Sequence, residues 1–165
     1  MRASRRRKLE TQTQPHLAPG ERIELFGMAK IGKAPVAKNV AAAAVAVAVG
    51  TMLGGTAIVM FSQKSVYLVL SDRQLVFFGM NTSTGGPAEF ITKVPRAALA
   101  AEVLPGSGLM LKIRLDVAAL HGQSAGSLLL SVAPLPPSNK AAGRSLASSL
   151  SGRGAMGGHR LPSSR

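Results

Sequence analysis

The side chains that could do chemistry are few and far apart. The 165-residue chain holds 7 acidic residues, 3 histidines and no cysteine. The missing cysteine removes disulfides, thiolate zinc sites, iron–sulfur clusters and a cysteine nucleophile. His16, His121 and His159 have no local spacing that would make a metal cage. Paired carboxylates would permit general acid–base work. Asp72, Glu89, Glu102 and Asp116 instead stand singly, each near a basic residue or a strand end. No G-x-S-x-G, H-E-x-x-H or Walker loop occurs. Pro105-Gly106-Ser107-Gly108 lacks the rest of a phosphate-binding fingerprint and reads as a turn. Asn81-Thr82-Ser83 matches a glycosylation sequon by spacing alone. The expectation is a non-enzyme with no catalytic residue, no metal, no cofactor and no small-molecule substrate.

What the chain has in excess is positive charge. Its 20 Lys+Arg outnumber the 7 acids, for a net charge of +13. Residues 1–40 carry +6, residues 41–116 only +2, and residues 117–165 carry +5. The available chemistry is therefore attraction to an anionic surface, either phospholipid or nucleic acid. Arg5, Arg6, Arg7 and Lys8 form one cationic run, and Lys30, Lys33 and Lys38 form a second. The first run could hold phosphates without specificity. Single-strand binders add aromatic platforms to such cations, and the 5 Phe and 1 Tyr here fall in segments expected to be half buried as strands. Nucleic acid therefore ranks below lipid. Ser4-Arg5-Arg6 opens like a twin-arginine export signal, but Lys8, Glu10 and a polar run replace the apolar segment that should follow.

The elements that must position these cations read as follows. Residues 1–16 are polar, with no apolar period, and are expected to be a disordered basic tail. After the Pro19-Gly20 turn, Ile23, Leu25, Gly27, Ala29 and Ile31 alternate with Glu24, Phe26, Met28 and Lys30, which predicts a strand. Residues 40–61 (VAAAAVAVAVGTMLGGTAIVMF) contain no charge. As a helix they would span about 33 Å, enough for a hydrocarbon core. Gly50 and Gly54 stand at the spacing of a membrane-helix packing motif. With Leu53, Ile58 and Phe61 they are the expected membrane or self-association segment. Residues 65–70 and 75–80 predict a hairpin, turned at Ser71-Asp72-Arg73-Gln74 with Asp72 accepting the turn's own N–H groups. Residues 89–94 and 100–104 predict further strands. Leu109, Leu111, Ile113 and Leu115 alternate with Met110, Lys112, Arg114 and Asp116, a strand with one wet face that residues 127–132 return. Ser138 is the expected N-cap of a helix that carries Ala142, Leu146, Ala147 and Leu150 at helical spacing. Residues 152–165 are expected to be a disordered Gly/Ser/Arg tail.

Three stretches resemble the bacterial pleckstrin-homology-like (PH-like) domain. Leu17-Ala18-Pro19-Gly20-Glu21-Arg22 is similar to its L-x-x-G-E opening. Residues 67–78 (YLVLSDRQLVFF) resemble its L-x-L-T-D-R-R-L-x-F hairpin, with Ser71 for Thr and Gln74 for Arg. Val94-Pro95-Arg96 resembles a later I-P step. The Ala/Gly/Arg-rich composition resembles that of an actinobacterial protein. The resemblance covers residues 17–151. It implies a mainly β, α+β fold: an antiparallel barrel of about seven strands with a C-terminal helix, here with an apolar helical or hairpin insertion after the first strand. It also implies a binding module in which Asp72 and Arg73 are structural turn residues.

A single membrane crossing by residues 40–61 would separate the first two strands of that barrel. Three solutions are open: a hairpin that dips and returns, a soluble element packing on the barrel or on a second copy, or a single-pass chain whose residues 17–39 lie outside the barrel. The expected function is a non-catalytic binding or scaffolding module at the cytoplasmic face of a membrane. A soluble module that self-associates through residues 40–61 and a basic nucleic-acid binder are the alternatives. The expected partner is an anionic lipid surface, with a protein partner or a second copy next.

Overall fold

The computed structural model describes residues 1–33, 64–105, 109–118, 126–134 and 136–151. Residues 40–61 and 152–165 lie outside them, and with them the expectations for Gly50, Leu53, Gly54, Ile58, Phe61 and the C-terminal tail; Lys38 lies outside them too. The described chain begins with helix α1 (Ala3–Thr13) and a 3-10 turn at Gln14–His16. Strands β1 (Ile23–Lys33), β2 (Lys64–Ser71), β3 (Gln74–Met80) and β4 (Pro87–Pro95) follow. A second 3-10 turn at Arg96–Ala98 leads to β5 (Leu99–Leu104), β6 (Leu111–Val117), β7 (Gly126–Val132) and helix α2 (Pro137–Ser151).

The strands form one antiparallel sheet in the order β4-β3-β2-β1-β7-β6-β5. Seven strands followed by a helix is the expected PH-like arrangement. The sheet is curved around a core but not closed by hydrogen bonds: β4 and β5 are its two edges. Strand β1 is paired on both sides, to β2 through Ile31↔Lys64 and to β7 through Lys33↔Leu128. That pairing overturns the single-pass solution in which the first strand stands apart.

The inner face follows from period-two alternation. Ile31, Leu68, Leu70, Phe77, Ile113 and Leu130 point inward and are at most 2% exposed. Burial of each such side chain contributes about 1.5–3 kcal/mol. Helix α2 covers one mouth of this core with Leu146, Ala147 and Leu150, three of the four residues its periodicity predicted; the fourth, Ala142, is only half-buried. It begins at Pro137 rather than being capped by Ser138. Proline fits the first helical position because that N–H would have no partner anyway. Asn139 then faces inward: its Oδ1 accepts the Met28 N–H at 3.0 Å, and its Nδ2 donates to the Ala133 carbonyl at 3.2 Å. The β7 ladder on β1 runs only from Lys30 to Lys33, so Asn139 satisfies an amide that no strand reaches.

Three local expectations are corrected. A bulge between Ile23 and Leu25 puts Leu25 against the inner core and Ile23 in the outer cluster, so the two do not share a face. Strand β6 starts at Leu111, paired with the last residue of β7, and Leu109 is left 78% exposed. The largest correction concerns residues 1–16. Residues 3–13 are helical, and α1 lies across the outer face of β1–β4, where Leu9 meets Tyr67, Val69, Val76 and Phe78. Leu9 and Thr13 are the buried residues of this helix. Its anchors are tertiary: Arg5 Nη2 donates to the Thr84 carbonyl at 3.0 Å, Gln12 Nε2 donates to the Ala88 carbonyl at 3.3 Å, and Arg6 sits 5.2 Å from the centre of the Phe26 ring.

Candidate functional site

The order of the sheet determines which cations meet. Lys30 is exposed on the outer face of β1, directly opposite Ser131 of β7. Ser131 in turn lies opposite Lys112 of β6, and Ser65 of β2 flanks Lys30 on the other side. The row across four strands is therefore Ser65–Lys30–Ser131–Lys112. With neighbouring strands about 4.8 Å apart, the two lysine backbones stand about 10 Å from each other. Both lysines are exposed and neither forms an ion pair among the described residues. Arg114, two residues further along β6, is different: it is held by Glu102 at 2.7 Å and Asp116 at 3.2 Å. Lys112 was legible in the sequence as a wet-face residue, but its pairing through Ser131 to Lys30 was not.

This row sits beside the place where the chain leaves and rejoins the sheet. Strand β1 ends at Lys33 and β2 begins at Lys64, and Ile31 pairs with Lys64. The two points of attachment of residues 34–63 are thus next to each other at one end of the sheet.

The N-terminal cations are divided by α1 rather than gathered. Arg5 is spent on the Thr84 carbonyl beside Gly85, and Arg6 on the Phe26 ring. Gly85 adopts φ +61°, and a Cβ there would approach Arg5 Nη2 to 3.2 Å. Arg7 and Lys8 are exposed. The structure therefore does not bring Arg5, Arg6, Arg7 and Lys8 together with Lys30.

At the other end of β2, the Asp72-Arg73 turn does structural work, but by a different bond from the one expected. The Ser71 hydroxyl oxygen accepts the turn's amides, from Arg73 at 3.2 Å and Gln74 at 2.9 Å. Asp72 instead accepts the Arg22 N–H at 3.0 Å, while its own N–H donates to the Arg22 carbonyl at 3.1 Å. It ties the hairpin to the start of β1. The Ser71 hydroxyl donates to Glu21, whose carboxylate also accepts from Ala18 N–H at 2.7 Å and Gln74 Nε2 at 3.1 Å. The Glu21 and Ser71 side chains thus join the first two of the three stretches that carry the resemblance.

Arg96 is a residue that the sequence reading did not single out as a site. Its side chain is 10% exposed and its Nη1 contacts Glu24 at 2.8 Å and the Ser71 carbonyl at 3.1 Å. Its Nη2 donates to the Ser149 carbonyl of α2 at 3.3 Å. It joins β1, β2 and α2 and is a structural clamp. Among the described residues no group of three His, Asp or Glu is placed to hold a metal ion, and no helix is long and apolar enough to cross a membrane.

No family model and no curated protein matches the chain. Among solved structures it is similar to a pleckstrin homology domain from Shewanella amazonensis, with 12% identity and a TM-score of 0.43 over 87% of this chain and 96% of that one. It is also similar to the hSac2 domain from the human phosphoinositide phosphatase Sac2, with 14% identity and a TM-score of 0.48 over 88% of this chain and 77% of that one. The fold stands on the chain's own topology: a seven-stranded antiparallel sheet, open at one seam, with a C-terminal helix across its mouth.

Proposed function

We propose that this chain is a non-catalytic PH-like binding module that attaches to an anionic membrane surface at the cytoplasmic face. The observation that carries the reading is the adjacency of Lys33 and Lys64 at one end of the sheet, beside the unpaired Lys30 and Lys112. The uncharged sequence 40–61 is tethered at that end on both sides. Two full membrane crossings need about 40 residues, more than residues 34–63 supply, and one crossing would separate paired strands. Lipid contact in this reading is therefore shallow, through Leu53, Ile58 and Phe61, with Gly50 and Gly54 allowing a close return. Lys30, Lys33, Lys38 and Lys112 add attraction of about 1 kcal/mol for each lysine that reaches an anionic surface.

Sedimentation with vesicles tests this. Phosphatidylserine vesicles should carry the full chain down at low salt, and phosphatidylcholine vesicles should carry less. Replacing Lys30 and Lys112 together by Gln should weaken binding about twentyfold to thirtyfold. Recovery wholly in the supernatant at low salt overturns the reading. A dimer in detergent-free buffer that ignores both vesicle types would favour self-association through residues 40–61 instead.

A further inference from the structure

A concavity lies at the far end of β2, about 23 Å along the strand from Lys64. A cleft of about 260 Å³ opens there between the Gln14–His16 turn and the β2–β3 turn. Pro15, Leu17 and Pro95 form apolar walls, and Arg73 and Lys93 supply two cations. We propose that this cleft binds the phosphate group of a small phosphate monoester, held between Arg73 and Lys93.

Both cations are exposed, and neither forms an ion pair among the described residues. Lys93 Nζ donates once, to the His16 carbonyl at 3.2 Å, which steadies the side chain and leaves two of its N–H groups unused. Arg73 offers a guanidinium fork that matches two phosphate oxygens. The acidic residue in the wall, Glu21, is engaged by the three donors Ala18 N–H, the Ser71 hydroxyl and Gln74 Nε2. Its carboxylate is therefore committed to the wall, and the donors left for a ligand are cationic. Glu21 keeps its negative charge, so the lining is net +1, and the preference for phosphate rests on acceptor count: three terminal oxygens can serve the guanidinium fork and the ammonium at once, whereas a carboxylate offers two.

The walls are held by the protein's own bonding. Gln74 pairs with Pro95 in the β3–β4 ladder, and its Nε2 also donates to the His16 carbonyl at 2.8 Å. The His16 ring stacks on Phe90 with centroids 4.0 Å apart and meets Phe78 edge-on at 6.0 Å. The Gln14–His16 turn is thus pinned to both strands and the cleft is preformed.

This inference does not depend on membrane attachment. Glycerol 3-phosphate, titrated into the full chain and followed by calorimetry and by amide NMR, is the probe, with glycerol as the neutral control. Saturable binding should shift the amide signals of His16, Leu17, Arg73, Gln74 and Lys93. Arg73→Gln and Lys93→Gln should each weaken it about tenfold. Both substitutions are at exposed positions, so the variants should still sediment with phosphatidylserine vesicles as the native chain does. Phosphatidic acid vesicles present the same monoester at a surface. If they displace glycerol 3-phosphate the source is a headgroup; if they do not, it is a soluble metabolite, and either outcome keeps the site. No saturable binding, or equal binding by the doubly substituted chain, overturns it.

Discussion

At the residue scale, two side chains hold more of this molecule than their surroundings in the sequence announce. Leu9 is the apolar plug under α1 and is 0% exposed. Leu9→Ala should cost about 2–3 kcal/mol, at the lower end for a buried leucine, because a single helix on an outer face can settle into the gap. The chevron midpoint in urea would report that cost. Limited trypsin digestion should also cut faster at Arg5, Arg6, Arg7 and Lys8 once the plug is gone. Arg96 is the second case. Arg96→Ala leaves the Ser71 and Ser149 carbonyls without their donor and Glu24 without its cation. A loss of about 1–3 kcal/mol in denaturant unfolding is expected, mainly from the two carbonyls that lose their donor, because the Glu24 side chain is 41% exposed and can turn to water. Arg96→Lys should recover only part of it, because one ammonium cannot span three acceptors on three elements.

At the element scale, α2 shows propensity and packing pulling in opposite directions. Alanine is about 1 kcal/mol better than glycine inside a helix. At Gly143, however, a Cβ would stand 3.0 Å from Leu111 and 3.1 Å from Val132. Gly143→Ala should therefore be close to neutral in thermal unfolding, and Gly143→Leu should lose about 3 kcal/mol from overpacking. Asn139→Ala should cost about 1–2 kcal/mol by leaving the part-buried Met28 N–H without its acceptor. Faster hydrogen exchange at Met28 than at its neighbours on β1 would mark that mechanism. The helix α1 was invisible to sequence periodicity for a physical reason: with Leu9 as its main apolar contact, it has no stripe to detect. Its helicity comes from the apolar outer face of β2 and β3, and both faces of β3 are consequently buried.

At the scale of the whole molecule, charge and topology combine. The acids of β5 and β6 neutralise Arg114, while Lys30 and Lys112 have Ser131 between them and the uncharged Ser65 and Leu104 on their outer sides. Vesicle binding should therefore fall steeply with added salt, since exposed charges are screened over about 8 Å at physiological ionic strength; salt-independent sedimentation would contradict the lysine contribution. The strands, their order in the chain and the C-terminal helix were legible in local pattern, because alternation and helical spacing are short-range consequences of which face is buried. Asp72 and Glu21 were legible as motif residues, but their bonds were not, since each joins segments about fifty residues apart. The sequence by itself determined a non-uniform charge, an uncharged run after the first strand and a set of half-buried strands. Only the tertiary structure decided that this run leaves and rejoins one end of the sheet, that the polar N-terminus is a packed helix, and that Lys30 and Lys112 share one row of the sheet while Arg73 and Lys93 line one cleft. Those are long-range contacts, and strand pairing, not local propensity, creates them.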